Sequence, residues 1–449
     1  MTQFTIHTSS LFDPKIKGTR SNVSITVDSV TGLIVRVFER DAQQPPEEVV
    51  QPGDIDLRGK YVLPGFVDAH THVFLYSYDE AGALQQKRDE SIVERMVRGS
   101  QPLSHSPSSR IHNLQVTTNR PPLPQSTPPT HPSTRDLGSE GMQDFDANLR
   151  DAIARGLTPG PRLYVATKVL ASTGSFECRT ENSAGGHCLP SSAEAVDGVE
   201  ACRQAVRRRI AAGADIIKFF ADYRRRIMRS PPAQQHPYIP SVLHPPQEPN
   251  PDYMVFSQEE INMIVAEAKL ARCPVSAHCA TLEGALGAIE AGVNSIEHAY
   301  FATDEMFERM VEKGVILVPT LAIAEKLHAK RFAQILGQVK RAHEMGVRLA
   351  CGGDTGTYPH GENAREMELV IQAGIPVVDV LEACTVGGWE SCGGEMCGRR
   401  FGWLEDGAQA DVIALGGDPG SDFEALRKVD FVMKDARVWK MDGEAQGMI

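Results

Sequence analysis

The chain has 449 residues, 41% hydrophobic and 23% charged, with a formal net charge of -12. That length buries a large core and suits one large domain with a small companion, while lysines and arginines scattered among a majority of acids exclude an electrostatic nucleic-acid footprint. No run reaches the roughly 18 apolar residues of a membrane span. The start, Met1-Thr2-Gln3-Phe4-Thr5-Ile6-His7, lacks a charged stretch followed by an apolar one, so a cytoplasmic protein without membrane association is expected. Nine thinly spread cysteines read as free thiols of a reducing compartment, although Cys178 with Cys188, and Cys392 with Cys397, bracket short loops that a disulfide or metal clip would also suit.

In chain order, residues 4 to 60 alternate apolar and polar positions, as in Val23-Ser24-Ile25-Thr26-Val27 and Leu33-Ile34-Val35-Arg36-Val37-Phe38, which predicts short antiparallel strands. The same style returns in 410–415, 430–433 and Val438-Trp439. Both ends are therefore expected to meet in a small β-sandwich of residues 1–60 and 405–449. Between them, in 61–404, compact apolar runs alternate with amphipathic stretches, the pattern of an α/β fold in which a (β/α)8 TIM-like barrel is built from successive βα units. The runs are 61–69, 162–166, 215–220, 274–278, 295–298, 315–319 and 348–354. Ser257 and Glu260 form a capping box for a helix towards Leu270, and Gly292 closes another that begins at Leu282.

Residues 99–133 break this rhythm. Pro102, Pro107, Pro121, Pro122, Pro124, Pro128, Pro129 and Pro132, among many Ser and Thr, exclude a central strand or a continuous helix. A disordered insertion is expected, with His105, His112 and His131 solvated. A second irregular stretch, from about Tyr223 to Tyr253, follows the Lys218 run and would overhang the active face of a barrel as a lid or substrate wall.

Chemistry concentrates where the apolar runs end. His70-Thr71-His72 closes the first run, and residues two apart on a strand point the same way, so both imidazoles can reach one metal ion. Lys218, His278, His298 and Asp354 end other runs. A parallel barrel gathers its C-terminal strand ends on one face, so these distant positions would share one cavity. Lys218 in Asp215-Ile216-Ile217-Lys218 is costly to desolvate as an ammonium. It either pairs with Asp215, Glu297 or Asp354, or is a neutral amine captured by carbon dioxide as a carbamate able to bridge two ions. Tyr223, His360, Glu362, Asn363 and Arg365 lie just past strand ends as substrate-binding candidates. His360 has two readings, a contact to a substrate carboxylate or oxyanion and a solvated loop residue.

Taken together, these segments resemble the amidohydrolase superfamily, and within it the imidazolonepropionase-like, Xaa-Pro dipeptidase and ochratoxinase-like members with two metals. Leu63-Pro64-Gly65-Phe66-Val67-Asp68-Ala69-His70-Thr71-His72 resembles the family's first-strand signature, and Gly213-Ala214-Asp215-Ile216-Ile217-Lys218 its carbamylated-lysine segment. Val275-Ser276-Ala277-His278, Ser295-Ile296-Glu297-His298 and Gly352-Gly353-Asp354-Thr355-Gly356 resemble its fifth, sixth and eighth strands. Gly407-Ala408-Gln409-Ala410-Asp411-Val412-Ile413-Ala414-Leu415 is similar to the segment that returns the chain to the β domain.

The resemblance implies two divalent ions, zinc by analogy, with His70, His72 and Asp354 on one, His278 and His298 on the other, and carbamylated Lys218 as the bridge. It further implies a metal-dependent hydrolase cleaving an amide or related C–N bond of a small molecule or dipeptide, with Asp354 passing the proton to the leaving nitrogen. Family members often assemble, so a homo-oligomer is expected. The departure is at Thr134-Arg135-Asp136-Leu137-Gly138, before which the family places a helix and an apolar second strand. Here the Pro-rich segment is expected to have replaced both, with 111–118 as a poor substitute strand. Rival readings are a lactonase or cyclic-amide hydrolase on the same site, a scaffold whose catalysis that lesion abolished, and an interaction module built on the Pro-rich segment.

Overall fold

The computed structural model describes residues 2–41, 50–100, 131–178, 191–224, 234–235, 238, 243–244 and 252–446. The chain ends build two sheets. In one, Gln3–His7 pairs with Val23–Asp28, which pairs with Leu33–Glu39, all antiparallel. In the other, Tyr61–Pro64 lies between Ser10–Asp13 and Val412–Leu415, and the sheet continues into Val429–Lys434 and Arg437–Met441. Ile6, Ile25 and Ile34 of the first sheet and Leu11, Val62, Val412 and Phe431 of the second pack into one buried cluster. Their alternation along each strand is what the period of two requires.

The run 61–69 divides where a single strand was expected. Pro64 has no N–H to continue a ladder, Gly65 N donates to Asp411 O at 2.9 Å, and a separate strand starts at Val67. Val67–Thr71 pairs in parallel with Ser133–Asp136, which pairs in parallel with Arg162–Val165. A second parallel sheet carries Ile217–Phe220, Val275–Cys279, Ser295–His298 and Ile316–Val318 in that order, with Val169–Ala171 and Ala193–Ala195 at its edge. Val165 O accepts from Asp215 N and Ile216 N at 2.8 and 3.2 Å, joining the two sets.

The 348–354 run forms no strand. It touches its neighbours through single parallel bridges, Leu317 with Leu349 and Thr71 with Thr355. Asp354 has φ 67°, a left-handed conformation incompatible with a pleated ladder. Gly352 packs so closely on the backbone of Ala69 and His70 that no Cβ fits there.

The barrel strand expected to be lost is present as Ser133–Asp136, and helices Ala83–Asp89 and Ile92–Ser100 precede it. All four strand residues are buried although all four are polar, so an apolar criterion passes over them. Gly99 and Ser100 end a helix and Ser133 begins a strand, which trims the expected excursion at both ends. His131 is buried against the Phe66 ring, centroids 5.6 Å apart, rather than solvated. His105, His112 and 111–118 lie outside the described residues, as does Cys188. The other eight cysteines are free thiols.

Of the expected lid, the antiparallel pair Asp222–Arg224 and Asp252–Met254 is described, with a short pair beyond it, and most of the rest lies outside the described residues. The Ser257 capping box and the Leu282–Ala291 helix ending at Gly292 are both observed. Among the described residues no helix is long and apolar enough to cross a membrane.

Candidate metal centre

His70 lies on the Val67–Thr71 strand and His72 one residue beyond its end. The Thr71–Thr355 bridge draws Asp354 alongside, with Asp354 N and Thr355 N donating to His70 O at 3.0 and 3.2 Å. One ligand atom each from His70, His72 and Asp354 falls within 4.8 Å of the others. Asp354 Oδ1 is 3.2 Å from His72 Nε2 and 3.7 Å from His70 Nε2.

The far side of each ring explains this orientation. His72 Nδ1 donates to Gly138 O at 3.1 Å, and His70 Nδ1 lies 2.8 Å from Glu297 Oε2. Two Nε2 lone pairs and a carboxylate oxygen then face one another, which requires a positive charge among them. In the metal-free chain that charge is a proton. Burial works against a charged His72, but the Asp354 bond and the Glu140 carboxylate outweigh it and raise the ring to about 9. Burial alone would raise Asp354, yet His70 and His72 hold it down to about 2. Burial leaves His70 neutral, lowered to about 4.

His278 and His298 stand on adjacent paired strands, with ring centroids 4.6 Å apart, and the His298 ring is 5.1 Å from that of His70. Burial first, then the neighbouring positive groups, lower both rings well below the usual histidine value. His298 has φ 73° and its Nδ1 lies 2.8 Å from Thr320 Oγ1, while Thr320 itself has φ 48°. Such backbone strain in a β-branched residue persists where surrounding contacts over-determine it, and it clusters at functional sites. Lys218 lies on the strand next to that of His278, 3% exposed, and its Nζ has no hydrogen-bond partner among the described residues. Burial lowers it to about 8, with Glu297 opposing and Arg135 reinforcing the shift. Of the three carboxylates offered as its partner, Asp215 instead takes Arg150 Nη1 at 2.7 Å.

The substrate candidates separate. Tyr223 packs edge-on against Phe176 and Phe220, and Phe220 lies 4.3 Å from the His278 ring, so Tyr223 is one ring removed from a candidate ligand. His360 is half-buried, its Nε2 donates to Leu75 O at 2.8 Å, and burial lowers the ring to about 4. Glu362 pairs with Arg427 at 2.6 Å, and Arg365 with Glu325 and Glu368 at 2.6 and 3.0 Å, a network apart from the histidines. Asn363 Nδ2 donates to Asp68 Oδ2 at 2.5 Å behind the first strand.

Around the histidines stand Glu140, Lys87 and Arg135, which the sequence reading does not single out, and Glu297, which it offers only as a partner of Lys218. Glu140 lies 3.5 Å from His72 Nδ1 and is held by buried Lys87, which also pairs with Glu177. Arg135 pairs with Glu297 at 2.7 Å, both at most 1% exposed. The available signal was charge inside otherwise buried strands, as in Ser133-Thr134-Arg135-Asp136 and Ser295-Ile296-Glu297.

Comparison with known proteins agrees with this geometry. A sequence relative, the ochratoxinase of Aspergillus niger, is 29% identical over 349 residues, covering 69% of this chain and 66% of that protein. The chain thus spans about two thirds of that relative's length. Among solved structures, a Xaa-Pro dipeptidase with bound methionine superposes with TM-score 0.72 and 26% identity, covering 98% of this chain and all of that one. The A. niger ochratoxinase structure superposes with TM-score 0.76 and 23% identity, covering 100% of this chain and 99% of that one, and supports the TIM-barrel-like α/β fold. The family model for the amidohydrolase family matches residues 61–439, a span that contains His70, His72, Lys218, His278, His298 and Asp354. On that match and this fold, the chain belongs to the amidohydrolase family.

Proposed function

We propose that this protein is a metal-dependent hydrolase that cleaves an amide or related C–N bond in a small molecule or dipeptide, on a barrel closed by the 348–354 run. The observation that carries the reading is the convergence of His70 Nε2, His72 Nε2 and Asp354 Oδ1, with the orphaned Lys218 amine buried nearby. This donor set fits a divalent ion of the zinc class, since imidazole and carboxylate are its usual oxygen and nitrogen ligands. His70, His72 and Asp354 would hold one ion and His278 and His298 a second, with Lys218 as a carbamate between them. When bound, the ions supply Lewis acidity towards the scissile carbonyl and acidify water.

The chain's own residues account for the rest. The Asp354 carboxylate, through the oxygen left free of the ion, would accept the proton of the attacking water and deliver it to the leaving nitrogen. Phe220 and Tyr223 wall the side of the site next to His278, and His360 braces the loop at Leu75. His70 is buried and His72, His278 and His298 are half-buried, which limits bulk water among them and strengthens each electrostatic contact.

A panel of dipeptides, N-acyl amino acids and lactones, assayed with and without chelator, tests the reading. Amide cleavage that disappears on chelation and returns with added zinc or cobalt is expected. Cleavage equally fast in chelated protein and in a His70→Ala/His72→Ala variant would refute it, as would turnover confined to lactones.

A further inference from the structure

We infer that Glu297, braced by Arg135, is a positioning residue that fixes which nitrogen His70 offers to a metal, an inference that rests on the metal-dependent reading above. Glu297 is fully buried at the end of the Ser295–His298 strand, next to His298 in sequence. One oxygen receives His70 Nδ1 at 2.8 Å. The other accepts from Arg135 Nη2, Ser276 Oγ and Ser295 Oγ at 2.7, 2.7 and 2.6 Å. A guanidinium and two hydroxyls donating to one oxygen make this an ionised carboxylate.

An ionised carboxylate only accepts, so His70 Nδ1 must carry the hydrogen, and a neutral imidazole then has its lone pair on Nε2. That is the atom aimed at Asp354. Arg135 fixes position as well as charge. Its Nε donates to Ala69 O at 2.5 Å, one residue before His70, and its Nη1 donates to Ser295 Oγ and Ser391 O at 2.9 and 3.0 Å. One guanidinium thus ties the backbone before one candidate ligand to the carboxylate beside another.

A plain buried ion pair would stabilise the fold without selecting a nitrogen, and the two roles separate experimentally. Glu297→Gln keeps the shape but can turn its amide N–H towards His70 Nδ1, which moves the hydrogen to Nε2. Because that variant leaves Arg135 without a charged partner and can fail to fold, Glu297→Asp is made beside it, keeping the charge near Arg135 on an arm too short to reach His70. Zinc affinity is measured by competition with a chromophoric chelator, the visible bands of the cobalt-loaded protein are recorded, and the metal-free variants are melted. The expected result for folded Glu297→Asp is zinc binding weakened about 10- to 100-fold with shifted cobalt bands, against at most a modest drop in metal-free melting temperature. Zinc affinity within twofold of the unmodified protein and unchanged cobalt bands overturn the positioning role while leaving the hydrolase reading intact. An unmodified protein that binds neither ion overturns both.

Discussion

His72 Nε2 lies 3.2 Å from Asp354 Oδ1, held there by the bridge between their neighbours Thr71 and Thr355. That carboxylate is both a candidate ligand and the proposed proton carrier. Asp354→Asn removes its basicity, and asparagine tolerates the left-handed φ of 67° better than most residues. Turnover is expected to fall about 10²- to 10⁴-fold with little change in melting temperature. Steady-state kinetics beside a thermal melt check this, and near-normal kcat would remove Asp354 from the proton path.

Arg162 joins the parallel strands to the sheet of the chain ends. Its Nη1 and Nη2 meet Asp411 Oδ2 and Oδ1 at 2.5 and 3.1 Å, with both side chains buried. Arg162→Met strands the Asp411 charge and is expected to cost about 3–5 kcal/mol in urea titration. Arg162→Met/Asp411→Leu should recover much of that loss. A double variant no more stable than the single one would show that the stranded charge is not the cause.

Glu366 supplies a pH dependence. One of its oxygens accepts from Ala322 N at 2.8 Å, at the start of the Leu321–Leu327 helix, and the other has no partner among the described residues. Burial, only partly offset by the bonds from Leu321 and Ala322, raises the carboxyl from 4.5 to about 8. The folded chain therefore holds this proton more tightly than the unfolded chain. The associated stability is full below about 4.5, declines as pH rises, and is gone above about 8. Glu366→Gln keeps an acceptor for Ala322 and removes the titration. Relative to the unmodified protein, the variant should gain on the order of a few kcal/mol between pH 5 and pH 8. Melting-temperature differences that match at the two pH values would contradict it.

Two glycines should respond in opposite ways. Gly352 has no room for a Cβ against the His70 backbone, so Gly352→Ala is expected to cost about 1–3 kcal/mol or more and to lower metal content with it. Gly337 is exposed within the Phe332–Glu344 helix with open space around it, and Gly337→Ala should stabilise by roughly 0.4–1 kcal/mol. Denaturant titration of the two variants tests both signs.

Much of this was legible in the sequence, for identifiable physical reasons. The run-end positions of His70, His72 and Asp354 pointed to a shared cavity and the family resemblance grouped them as one set, although Asp354 arrives through the Thr71–Thr355 bridge rather than on a strand. The Ser257 capping box and Gly292 gave helix boundaries through local backbone chemistry. Ser133–Asp136 was missed because its buried polar residues are satisfied by partners distant in sequence, as Arg135 is by Glu297 and Ser391. Glu362 and Arg365 follow a strand end in sequence, but their ion pairs with Arg427, Glu325 and Glu368 depend on tertiary packing that closeness along the chain does not reveal. The 348–354 run reads as a strand from composition, yet the close approach at Gly352 and the left-handed Asp354 leave it only bridges.

The most direct measurement is plasma mass spectrometry of metal content, on protein purified without chelator and with bicarbonate present for Lys218. About two zinc-class ions per chain are expected, the stoichiometry of a paired-ion hydrolytic site. Folded protein that holds essentially none, even after incubation with zinc, would contradict a metal-dependent hydrolase at His70, His72 and Asp354.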